Sequence, residues 1–104
     1  YGVIATLRPF RGPEPDSGTV FEVGDAVARG IPVVAYGVSQ GTYVDRATAT
    51  MATQRDNSGV LRDADGAAVE DFGLPLNLML ACSVALEPCA EAALAKLAGM
   101  LVRR

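Results

Sequence analysis

The chain has 104 residues, half of them apolar and a fifth charged, with a formal net charge of -3, a composition that suits one folded domain and excludes a disordered segment or a basic nucleic-acid-binding face. It contains no histidine, which removes Ser-His and Cys-His nucleophile pairs and most zinc sites. Its longest apolar stretch, around Leu74 to Leu86, is broken by Pro75, Asn77 and Ser83 and is too short to span a bilayer.

Val3-Ile4-Ala5-Thr6-Leu7 is a short apolar run ended by Pro9 and reads as a buried strand. A buried strand at the first residues predicts a further element ahead of residue 1. Arg8 to Pro15 holds three prolines and a glycine and is a loop. Asp16 and Ser17 then form a helix N-cap pair. At about 100° per residue, Val20, Val23, Gly24, Val27 and Ala28 gather on one side of that helix, and Glu22, Asp25 and Arg29 on the other. Gly30 is placed as its C′ residue. Ile31 to Tyr36 follows as a second buried strand with Pro32 at its entrance, so the three elements form a βαβ unit with parallel strands.

Periodicity is weak from Gly37 to Gly73. A helix is expected over Tyr43 to Gln54. Asp56-Asn57-Ser58-Gly59 and Asp63-Ala64-Asp65-Gly66 are turn signals, and a small hairpin is expected between Val60-Leu61-Arg62 and Ala67-Ala68-Val69. An insertion of this length often serves as a lid or binding loop. Pro75 to Ala81 reads as a helix, Ser83 to Leu86 as a third strand, and Pro88 to Arg104 as a closing amphipathic helix whose last two arginines suit the negative end of the helix dipole. Cys82 and Cys89, each among apolar neighbours, are expected to be buried thiols, with a disulfide between them as the alternative. A cytoplasmic location is the default that accompanies free thiols.

The segment from Phe10 to Gly24 joins the carboxyl end of one predicted strand to the next helix, where open parallel sheets bind ligands. Asp16 near the cap and Glu22 about one and a half turns further on are both able to face that crevice, with helix N–H groups favouring their ionised forms. An ionised carboxylate can attack an anomeric carbon, and a second polar group then manages the leaving group. Spacing alone favours a plain cap at Asp16 and a solvated helix face at Glu22, and does not by itself establish an enzyme. Two further motifs carry no chemistry. Asp71-Phe72-Gly73 lacks the glycine-rich and catalytic loops of a kinase. A calcium loop on Asp63-Ala64-Asp65-Gly66 would place Leu61 and Phe72 at ligand positions.

Asp16, Gly18 and Glu22 spell Asp-x-Gly-x-x-x-Glu, and Glu70 to Leu80 carries Asn77-Leu78-Met79. The two blocks, in this order, resemble the nucleoside 2-deoxyribosyltransferase family. The resemblance covers most of the 104 residues and is weakest between Gly37 and Val69. It implies a single three-layer α/β/α domain over residues 1–104, with a parallel, flavodoxin-like sheet. It also implies exchange of the nucleobase of a 2'-deoxynucleoside through a covalent 2-deoxyribosyl-glutamate. Residue by residue, Glu22 matches the nucleophile and Asp16 the carboxylate that contacts the base. Asn77 and Met79 match residues that reach the deoxyribose from a neighbouring subunit. Gly18 belongs to the substrate-binding motif, and Phe10 is placed to stack on a base. Outside the resemblance, Asn77 is also a plausible helix-end hydrogen bonder, Met79 a core contact and Phe10 a loop anchor. No metal or organic cofactor is implied. The implied partners are deoxynucleosides, free nucleobases and further copies of the chain, in a dimer or larger assembly with shared sites; neither nucleic acid nor membrane is among them. Hydrolysis of 2'-deoxynucleoside 5'-monophosphates, or nucleotide binding without catalysis, are the alternatives on the same fold. The family's preceding strand, with its tyrosine-bearing glycine loop, and a further aspartate are not among these residues. The C-terminal residues are Arg103-Arg104, so the family's role for an aromatic residue near the C-terminus is not transferred.

Overall fold

In the computed structural model, which describes residues 1–102, three parallel strands carry the fold. They are β1 (Val3–Thr6), β2 (Val33–Tyr36) and β5 (Ala85–Glu87), in the order β1-β2-β5. Val3 pairs with Val33, and Val34 with Ala85. The two-residue alternation of a strand decides which helix each side chain meets. Ala5, Leu7, Val33 and Ala35 face one layer, where they pack with Val23 and Ala26 of α1 (Ser17–Ala28) and Leu80 of α3 (Leu78–Ser83). Val34, between two of them in sequence, faces the opposite layer and packs with Ala93 and Leu97 of α4 (Ala90–Val102). The result is the expected three-layer arrangement of helix, parallel sheet and helix.

Local chemistry sets the ends of α1. Asp16 is its N-cap. At the other end the Gly30 N–H donates to Val27 O and the Ile31 N–H to Ala26 O, at 3.0 and 2.9 Å. These are the two bonds of a Schellman motif, and the φ of +72° at Gly30 is the left-handed conformation it requires.

The segment from 37 to 73 folds differently from its predicted form. The helix α2 spans Tyr43–Thr50 and does not reach Gln54, which belongs instead to β3 (Thr53–Arg55). The Asp56–Gly59 turn closes β3 onto β4 (Leu61–Asp63) in an antiparallel hairpin. The expected pairing with Ala67–Val69 survives as a single bridge between Arg62 and Ala68. The first turn wins because Asp56 Oδ1 accepts from the Ser58 and Val60 N–H groups while Oδ2 accepts from Arg62. α3 begins at Leu78, later than expected, because the Asn77 side chain accepts from the Leu80 N–H and fixes the cap there. The third strand is shifted to Ala85–Glu87 and the last helix begins at Ala90; the Arg103-Arg104 end lies outside the described residues. Both cysteines are free and exposed, which corrects the expectation of buried thiols: they sit at the outer side of α3 and ahead of α4, away from the sheet. Among the described residues no helix is long and apolar enough to cross a membrane.

Candidate active site

At the carboxyl end of the sheet, β1 is followed by Leu7, which is 1% exposed and donates its N–H to Tyr36 O. Beside it, Gly37 has a φ of +82°, and a Cβ there would come within 2.9 Å of Thr6 Oγ1. Glycine at 37 therefore lets the two strand ends close together. The loop that leaves β1 is pinned by a 2.8 Å bond from the Phe10 N–H to Glu14 O, and it turns at Arg11 and Gly12, both with positive φ. Phe10 is about half exposed. The Arg11 guanidinium lies 5.0 Å from its ring centroid, so one face of the ring already has a cation against it.

The two carboxylates on this loop and helix have different surroundings. Asp16 Oδ2 accepts from the Thr19 N–H at 3.0 Å and from Thr19 Oγ1 at 3.2 Å. Oδ1 takes no hydrogen bond among the described residues, so the helix end orients the carboxylate with one oxygen and leaves the other free. Gly18 protects this arrangement, since a Cβ there would lie 3.2 Å from Asp16 Oδ2. Glu22 is exposed and has no hydrogen-bond or ion-pair partner among the described residues. It shares its flank of α1 with the exposed Asp25–Arg29 pair.

The opposite flank of α1 borders a cleft of about 690 Å³. Val20, Val23, Gly24, Val27 and Ala28 form one wall, the five residues that helical spacing had grouped together. Asn77, Met79, Leu80 and Ser83 form the other, with Glu14, Tyr43 and Glu70 at one end. Asp16 and Glu22 do not line this cleft. The structure thus brings Asn77 and Met79 together but sets them across α1 from Glu22 of the same chain. Asn77 caps α3, and Met79 is 78% exposed, so the core contact is not its role.

Sequence reasoning missed the polar end of the cleft. The Tyr43 hydroxyl donates to Glu14 at 2.5 Å, and Glu70 accepts from the Leu78 N–H at 3.0 Å. Burial, reinforced by the bond to Glu14, pushes the Tyr43 phenol up to about 12. The one available signal was Thr42-x-x-Asp45, a capping box that fixes Tyr43 as the first residue of α2; nothing in the spacing points from Tyr43 to Glu14, 29 residues away. A second cleft, of about 570 Å³, lies at the amino end of β2 among Val27, Ile31, Val33, Ala85 and Met100. No titratable side chain lines it, so it offers no acid, base or carboxylate nucleophile.

Comparison with known proteins adds three findings. The family model described as nucleoside 2-deoxyribosyltransferase matches residues 2–79. A solved structure, a 2-desoxiribosyltransferase from Leishmania mexicana, is similar at 37% identity with a TM-score of 0.69. The match covers 91% of this chain and 55% of that one, so the chain spans about half the length of that protein. No curated protein matches.

Proposed function

Because the chain belongs to the nucleoside 2-deoxyribosyltransferase family, we propose that it forms the catalytic part of an enzyme that exchanges the nucleobase of a 2'-deoxynucleoside, with Glu22 as nucleophile and Asp16 as the group that serves the base. The observation that carries this reading is the pair of carboxylates on the helix that starts from the carboxyl end of β1. One is oriented by the helix end and the other has no hydrogen-bond or ion-pair partner among the described residues.

The chemistry follows from those two environments. A Glu22 oxygen forms a bond to C1' as the C1'–N bond breaks, and the electron pair leaves with the base. As the base leaves, a proton from solvent reaches it over the free oxygen of Asp16, while Oδ2 stays on Thr19. A 2-deoxyribosyl ester of Glu22 remains. A ring nitrogen of the second base then attacks C1', the ester oxygen departs as carboxylate, and the proton this base loses returns to solvent over Asp16. Two inversions give net retention, the logic of a retaining glycosidase with a base in place of water. No step calls on a metal or an organic cofactor.

Two features of the cleft bear on substrate and assembly. Asn77 and Met79 stand across α1 from Glu22 of their own chain, which supports a role for them in the site of a second copy and hence a dimer or larger assembly. The charged residues along the cleft are Glu14 and Glu70. Asn77-Leu78-Met79 stands at the block where a phosphate pocket would call for serine or arginine, which supports nucleosides over 5'-monophosphates.

Base exchange by the full-length protein tests the reading. With 2'-deoxyinosine and free adenine, and then with pyrimidine pairs, the expected product is the exchanged deoxynucleoside. Glu22→Ala should lower its rate by about 10³-fold or more with the fold intact. Release of free base without exchange would replace transferase with hydrolase. A Glu22→Ala protein as active as its parent would remove the assigned nucleophile.

A further inference from the structure

Tyr43 holds two segments that the sequence keeps far apart. Its hydroxyl donates to the side chain of Glu14, in the loop that leaves β1, at 2.5 Å. Its backbone N–H donates to Leu74 O at 2.8 Å, just ahead of the block that carries Asn77 and Met79. One turn further along α2, the Arg46 guanidinium donates to Pro75 O and to Ser39 O. A single turn of α2 is therefore tied both to the loop bearing Phe10 and to the entry of α3.

We propose that Tyr43 is a positioning residue, which clamps the loop of residues 8–15 through Glu14 and so sets the affinity of the site for its nucleoside. This rests on the reading given under Proposed function. Glu14 is the natural handle for such a clamp. Its backbone oxygen already accepts from the Phe10 N–H, so holding Glu14 holds the ring of Phe10 on the same short turn. It also precedes Pro15, which restricts its backbone to extended conformations and leaves the side chain as the adjustable contact. The phenol is a dependable donor, because its raised value keeps it protonated throughout the neutral range. Asp16 keeps its own bonds to Thr19, so release of the clamp disorders the loop without moving the group that serves the base. A loop that must be ordered by the ligand weakens ground state and transition state alike, and that appears in KM with kcat preserved.

The test uses Tyr43→Phe, Glu14→Ala and the double variant of the full-length protein. Each single change should raise the donor KM by about tenfold, the size expected for a lost hydrogen bond to a charged acceptor, with kcat within about twofold. The double variant should be no worse than either single one, because both remove the same bond. A KM unchanged in the singles, a loss confined to kcat, or an additive double variant would each overturn the clamp. Hydrogen exchange separates this from the function itself. If the parent protein shows no base exchange, the functional reading fails. The clamp is then judged by the Phe10 amide, which should exchange several-fold faster in Tyr43→Phe and should not change if the clamp is wrong.

Discussion

The sheet and its helices, and the segment from 37 to 73, are held together by different physics. In the first, apolar side chains carry the structure: Leu7, Val23 and Val34 are almost completely buried, and no polar or charged residue is buried with them among the described residues. In the second, Ala47 and Leu61 are the buried apolar residues, and the shape depends on side-chain oxygens and guanidinium groups. Asp56 and Asp63 close the turns, Arg62 pairs with Asp56 at 2.8 Å and Arg55 with Asp71 at 3.2 Å, and Thr42 with Asp45 caps α2. The contrast teaches that stability and adjustability occupy separate parts of one small chain. The proposed site lies along their border, with Asp16 and Glu22 on the first region and Tyr43 and Glu70 on the second.

The largest expected effect on this division comes from the core. Leu7→Ala removes a fully buried side chain between the sheet and α1, and should cost about 2–5 kcal/mol in urea unfolding. A smaller loss would mean that the sheet region is less tightly packed than its burial implies. The next effect is local and depends on pH. The bond from Arg62, with those from the Val60 and Ser58 N–H groups, holds the Asp56 carboxyl below its ordinary value of 3.8. A depressed value means that the ionised form favours the folded hairpin. That support is complete above 3.8 and is lost as pH falls through the lower, folded value. The Val60 amide should therefore lose protection from exchange on acidification, while amides of β2 keep theirs. Equal loss at both places would show that the two regions unfold as one unit.

The same contrast explains what could be read from the sequence. Val33-Val34-Ala35 and the spacing of Val20, Val23 and Val27 follow from periodicity, because burial between sheet and helix imposes a repeat. The cap at Asp16 and the stop at Gly30 follow from backbone chemistry confined to a few residues. The segment from 37 to 73 has no such repeat. Its strand pairing was decided by which of two similar Asp-to-Gly turns gathers more donors, and its link to the site by a bond from Tyr43 to Glu14. Both are matters of tertiary position. The cysteines were misread for a related reason: apolar neighbours in sequence do not place a residue against the sheet, and Cys82 is on the outer side of a short helix.

The parallel pairing of β2 with β5 has a consequence for the order in which the chain assembles. β1, α1 and β2 are contiguous, whereas β5 can join β2 only after residues 37–84 have been brought round. Closing a loop costs entropy that grows slowly with its length, by about 0.6 kcal/mol for each doubling, and the hairpin of β3 and β4 shortens the path that must close. The face that α4 covers, around Val34, Ala93 and Leu97, is therefore expected to form late, and Leu97→Ala should speed unfolding more than it slows folding.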